Sequence, residues 1–192
     1  MLVLGLDTTG RDCSACLTRG DDIVAQASEP LGRGHAERLA PMVVELLASA
    51  GVAPPEIARL AVITGPGSFT GLRVALSYAK GFALPGRLPI IGVDRLSLAL
   101  LDAPNALAVV DIRRGDMAVA TFGAPPRVVS QEEADALVAA HSGPVLRDPP
   151  IDLAAACRLA RRAVPAEHPP VPFYGRAPDA KLPGGVTPPS AA

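Results

Sequence analysis

Three short stretches carry residue types able to do chemistry. "LDTTG" gathers a carboxylate and two hydroxyls, Asp7, Thr8 and Thr9, in one turn after an apolar run. Such a turn can cradle a phosphate, and the same residues also favour a locally stabilised Asx- or Thr-type hairpin turn. "TGPGSFTGLR" sets Gly65, Gly67 and Gly71 between an apolar run and an amphipathic segment. It is not a Walker A loop, because Leu72 and Arg73 follow Gly71, and the glycine spacing is not G-x-G-x-x-G. Two roles stay open for it: an anion site at a free helix N-terminus, or a helix start capped from within by Ser68 or Thr70. The third stretch is Cys13-Ser-Ala-Cys16. On a strand, positions three apart face opposite sides of the sheet, so this pair is expected to share neither a metal nor a disulfide. His35, His141 and His168 show no metal-type spacing.

These residues need elements to hold them, and the hydrophobic period supplies an order. "LVLGLDTT", "CSACLT" and "DIVAQASE" are expected strands joined by short Gly/Asp turns. "HAERLAPMVVELLASAG" has Leu39, Met42, Val43, Leu46, Leu47 and Ala50 at helical spacing, with Gly51 as a stop signal and a kink or restart expected at Pro41. "LAVITG" is a buried strand, followed by a helix from Gly71 to Ala83. "PIIGVD" is a strand and "RLSLALLD" a short helix. The pattern is βββαβαβα.

"ALAVVDIRRGDMAVATF" repeats the design of "LVLGLDTTGRDCSACLT", with Asp111 in the place of Asp7. "RVVS", "QEEADALVAAH", "PVLRD" and "IDLAAACRLARRAV" then continue as strand, helix, strand and helix. We read an internal duplication with a truncated second copy. That is the plan of the actin-like ATPase and sugar-kinase superfamily (ribonuclease H-like, α/β). The expected units are 1–103, 104–183 and a Pro-rich tail, 184–192. From Pro165 onward prolines crowd the chain, as an extended strap or a disordered tail.

Composition bounds the function. The chain has 192 residues, 49% hydrophobic and 19% charged, as a packed globular protein does. Net charge is −1 and aromatics are 3%, so the basic footprint and stacking platforms of a nucleic-acid binder are missing. No run approaches the ~18 apolar residues of a spanning helix. The odd count of three cysteines favours a reducing cytoplasm.

Both long helices carry more apolar circumference than one sheet covers. On the second, Val74, Tyr78 and Gly81 widen the arc of Leu72, Ala75, Leu76, Ala79, Phe82 and Ala83 to roughly 220°. On the first, Ala40, Val44 and Ala48 do the same. We read these flanks as a protein–protein face.

"TGPGSFTGLRVALSYAKGFA", "HAERLAPMV", "LGLDTTGRDCSACL" and "YGRAPDAKLP" together closely resemble the TsaB (YeaZ) family, over residues 1 to 183. The resemblance implies the duplicated actin-like fold. It also implies a non-catalytic accessory role beside TsaD, the transferase that threonylcarbamoylates N6 of adenosine 37 in tRNAs reading ANN codons. TsaD and the ATPase TsaE are the implied partners. tRNA is reached through the complex, a homodimer is the state expected without partners, and no membrane is involved. The pairing surface would comprise His35, Ala40, Val44, Ala48, Phe69, Thr70, Gly71, Val74, Tyr78 and Gly81. TsaD-type enzymes carry H-x-x-x-H on the first helix; here the window is His35-Ala-Glu-Arg-Leu39, which lacks the second ligand. No metal, catalytic residue or resident cofactor is expected; Asp7, Thr8 and Thr9 are a vestigial phosphate loop, with nucleotide only in the complex. Alternatives are an ATP-binding phosphotransferase of the same fold and a metallopeptidase-like enzyme.

Overall fold

The computed structural model describes residues 1–112 and 114–175. The short apolar runs fold into two sheets of one plan. In the first, β1 (Leu2–Asp7), β2 (Asp12–Arg19) and β3 (Asp22–Pro30) form an antiparallel meander, and β4 (Ile57–Ile63) and β5 (Ile90–Val93) add parallel strands in the order β3-β2-β1-β4-β5. In the second, β6 (Leu107–Asp111), β7 (Asp116–Thr121) and β8 (Arg127–Ser130) repeat the meander, and β9 (Val145–Arg147) lies parallel to β6, in the order β8-β7-β6-β9. Asp7 and Asp111 end equivalent strands. The described residues thus hold a duplicated actin-like α/β fold whose second sheet is one strand short.

Helices α1 (His35–Ser49) and α2 (Phe69–Ala83) cover one face of the first sheet. Alternation along β1 sends Leu2, Leu4 and Leu6 to that face, where they meet Leu39, Met42, Val43, Leu46 and Leu47 of α1 and Ala75, Leu76 and Ala79 of α2. Burial of each large side chain contributes about 1.5–3 kcal/mol. The helix α1 runs without a restart through Pro41. Pro41 and Glu37, one turn earlier, are both exposed, so the carbonyl left without a donor can be hydrated. At the other end Gly51, with φ 63°, stops the helix as expected. Gly51 N–H donates to Ala48 O at 3.1 Å and Val52 N–H to Leu47 O at 3.0 Å, a Schellman motif.

The remaining helices cross between the halves. The short α3 (Arg95–Leu100) belongs in sequence to the first half, yet its Leu96 and Leu100 pack with Ala108, Val110, Ala118 and Ala120 of the second sheet. Conversely α5 (Leu153–Arg162) lays Leu153, Ala156, Cys157 and Ala160 on the far face of the first sheet, against Val3, Cys16, Ala61 and Ile63. Helix α4 (Gln131–Ala140) stays with β7 and β8.

Beyond α5 the chain returns as a strap, one of the two forms expected of it. Gly92 N–H donates to His168 O at 2.9 Å and Phe173 N–H to Thr64 O at 2.8 Å, so residues 168–173 cross the ends of β4 and β5. Gly65, with φ 109°, faces this crossing; a Cβ there would sit 2.9 Å from Phe173 O. The expected tail, 184–192, and most of "YGRAPDAKLP" lie outside the described residues.

Candidate functional site: a closed hairpin, an open helix flank and an arginine-lined cleft

The β1–β2 turn is filled by its own groups. Asp7 is buried, and its Oδ1 accepts from the backbone N–H of Thr9 at 2.8 Å and from the Thr9 hydroxyl at 2.7 Å. The Thr8 hydroxyl donates to Gly71 O at 2.6 Å, and Ser68 N–H donates to Thr9 O at 2.8 Å. Of the two roles open to "LDTTG", the geometry matches the Asx- and Thr-stabilised turn: the Thr8 and Thr9 hydroxyls and one Asp7 oxygen already have partners inside the chain. Burial pushes the Asp7 carboxyl up, opposed by the Thr9 hydrogen bonds and by the nearby Arg95 and His35.

The glycine turn is the other half of this lock. Helix α2 starts at Phe69, two residues before the expected Gly71, and Ser68 accepts from Gly71 N–H at 3.3 Å as its cap. A Cβ on Gly71 would lie 1.8 Å from Thr8 O. Gly71 was expected in a partner surface, and this is corrected: it is buried, and the close backbone approach it allows is made within the chain.

The pair Cys13 and Cys16 divides as expected. Cys13 lies in the core under α1 and α2, Cys16 in the core under α5. Burial pushes the Cys13 thiol up to about 11. Cys157, which no spacing in the sequence links to Cys16, donates its thiol to Cys16 O at 3.7 Å. A hydrogen bond with Cys157 holds the Cys16 thiol below its usual range, and the same bond together with burial raises that of Cys157.

At the H-x-x-x-H window, Leu39 is buried in the core, and His35 Nε2 is enclosed without a hydrogen-bond partner among the described residues. Among the described residues no three His, Cys, Asp or Glu side chains gather as metal ligands.

The two helix flanks differ. On α1, Ala40, Val44 and Ala48 are all exposed, one turn apart, with Val44 66% accessible. On α2, Phe69, Thr70 and Gly81 are exposed, while Val74 and Tyr78 are half-buried against the shared core. The apolar arc of α2 is thus partly consumed by its contact with α1 and the sheet. Arg38 is held at the surface by two carboxylates: Nε donates to Glu29 Oε2 of β3 and Nη2 to Glu45 Oε2, each at 2.7 Å.

Between the two sheets lies a cleft of about 1060 Å³. Its lining includes Arg11, Arg33, Arg73, Arg95 and Arg114, with Glu37 and Asp111 as carboxylates. At its rim the Tyr174 ring stands 4.8 Å from that of Phe69, and the Arg73 guanidinium lies 4.1 Å over Phe69. None of this grouping was visible in the sequence, because its members come from separate turns, helix starts and the strap.

Comparison with known proteins places this geometry. A family model described as TsaD, tRNA N6-adenosine threonylcarbamoyltransferase, matches residues 28–144. The chain is 37% identical over 123 residues to the tRNA threonylcarbamoyladenosine biosynthesis protein TsaB of Escherichia coli, covering 61% of this chain and 53% of that protein. It is 30% identical over 121 residues to the TsaB of Bacillus subtilis, covering 61% and 53%. The chain therefore spans about half the length of these curated relatives. It is also 30% identical to an uncharacterized protein of Mycobacterium tuberculosis, here over 93% of both chains. The solved structure of YeaZ from Pseudomonas aeruginosa shares the fold, with a TM-score of 0.72 at 24% identity over 90% of this chain and 99% of that one. By the extent of the family match and by these relatives, the chain belongs to the TsaB (YeaZ) family.

Proposed function

We propose that this protein is a non-catalytic accessory subunit that docks on a TsaD-type transferase and supports threonylcarbamoylation of N6 of adenosine 37 in ANN-decoding tRNAs. The observation that carries the proposal is the exposed stripe Ala40, Val44 and Ala48 on α1, beside Thr70 and Gly81 of α2. A helix that leaves a Val 66% accessible in its middle gains by being covered. Half-buried Val74 and Tyr78 form the floor between the two helices. In this reading residues 1–103 carry the docking helices, the complex works in the cytoplasm, and a TsaE-type ATPase joins it. Without partners, the same flank pairs with a second copy. The family membership and the internal bonding of Asp7, Thr8 and Thr9 favour this reading over an ATP-dependent phosphotransferase, which needs those groups for phosphate. A metallopeptidase-like activity would need the second ligand that Leu39 replaces.

The test is Val44→Asp with Ala48→Glu, both on exposed positions, and titration against the TsaD homologue. We expect at least a tenfold loss of affinity and a matching loss of tRNA modification by the reconstituted enzymes. Unchanged affinity removes the docking face, and tRNA modification by this chain alone removes the accessory role.

A further inference from the structure

The net charge of −1 hides an uneven distribution. Five guanidinium groups line the cleft between the sheets, and they come from five different segments: Arg11 from the β1–β2 turn, Arg33 from the loop before α1, Arg73 from α2, Arg95 from the start of α3, and Arg114 from the β6–β7 turn. Against them stand Glu37 and Asp111. The chain owns only two Tyr, four Phe and no Trp, yet one Tyr and one Phe meet at this rim with their planes tilted by 42°, the Arg73 guanidinium over the Phe ring. Arg73 also reaches the Tyr174 ring, 6.0 Å from its centroid. Phe69 is 43% accessible, so the ring pair is open to solvent.

We infer that this cleft holds a single-stranded segment of RNA, its phosphates along the exposed Arg11, Arg33 and Arg73 and a base against the Phe69–Tyr174 ring pair. The inference rests on the proposed role in tRNA modification and adds a direct RNA contact by this chain. Arg95 is held by Pro149 O, to which its Nη2 donates at 2.9 Å. The exposed cations Arg11, Arg33 and Arg73 are spread over three segments and follow an extended polyanion, whereas a lone phosphate would be met by one converging cluster. The turn that would grip a nucleotide's terminal phosphates is closed by the Thr8–Gly71 lock. The N-termini of α1 and α2 open on the cleft, and the stripe Ala40, Val44 and Ala48 runs away from it. An RNA seated here therefore lies beside the docking flank.

The experiment titrates a labelled anticodon stem-loop of an ANN-decoding tRNA against the full chain, alone and with the TsaD homologue. Arg11→Glu with Arg33→Glu changes two exposed cleft residues without touching the core. We expect at least a tenfold weaker RNA affinity. The slope of log affinity on log salt should fall by roughly one to two, since each phosphate contact with single strands contributes about 0.7. Phe69→Ala should weaken binding several-fold at unchanged salt slope. Unchanged affinity and slope in the double variant overturn the inference. So does competition by ATP or inorganic phosphate at concentrations matched per phosphate, which would assign the cleft to a small anion. If the heterodimer fails to form, the docking proposal falls, and the titration of the chain alone still decides this one.

Discussion

The Thr8 hydroxyl donates to Gly71 O at 2.6 Å, joining positions 63 apart in the chain. The first hairpin and the start of α2 are thereby one rigid corner. Gly71→Ala places a methyl group on Thr8 O, where neither backbone can yield cheaply. We expect a loss of about 3 kcal/mol, at the upper end of overpacking costs. Denaturant unfolding checks it, and a loss below half that value would mean that the corner is soft.

Thr8→Val keeps the shape of the side chain and removes its donor. The buried Gly71 carbonyl, inside α2, then loses one of its donors, at a cost of about 0.5–1.5 kcal/mol. If Thr8 had been held for a ligand, stability would be indifferent to this change while ligand binding would not. Thermal unfolding of the free chain separates the two roles.

Asp7→Asn tests the same turn through pH. The folded-state pKa of Asp7 is raised, chiefly by burial. A raised carboxyl contributes stability below its unfolded value, and that contribution is lost as pH rises through the folded value. The charged form is thus a burden at neutral pH. The variant, whose amide oxygen can still accept from Thr9, should match or exceed the native stability at pH 7. Its advantage should shrink as pH falls toward 3.8, the ordinary carboxylate value. Urea midpoints across pH 3 to 8 measure this, and a variant that is weaker at pH 7 would show that the carboxylate charge is needed.

The strap offers a further measurement. Phe173 packs against the core formed by Leu96, Leu100 and the second sheet. Phe173→Ala should cost about 2 kcal/mol, less than a full core truncation because the ring is only half-buried. Tyr174→Ala, whose ring meets Phe69 at the rim, should cost under about 1.5 kcal/mol, the upper range for an aromatic pair. Equal losses would place both residues in one core.

Much of the architecture was legible because local signals agreed. Most strands of the two meanders were bounded by Gly or Asp, and Gly51 sat where a helix ending in a left-handed residue requires it. No restart occurs at Pro41, because the cost of a missing N–H depends on whether the orphaned carbonyl faces core or water, and sequence spacing alone does not say which. The flank of α2 was overestimated for a related reason: a helix between a sheet and a second helix needs a wider apolar arc than one lying on a sheet alone. Tyr78 and Val74 serve that inner contact. Gly71 showed its chemistry but not its neighbour, since Thr8 lies across the fold. The arginine cleft left no trace in a net charge, because sums discard position.

The exchange of α3 and α5 between the halves bears on motion. Two lobes that merely touched could swing like jaws around whatever enters. Here each lobe wears a helix encoded by the other, and the return strap is sewn across the seam. To gape, the molecule would have to strip oily surface from both lobes at once. Its gap therefore keeps one width, and a guest must arrive already the right shape.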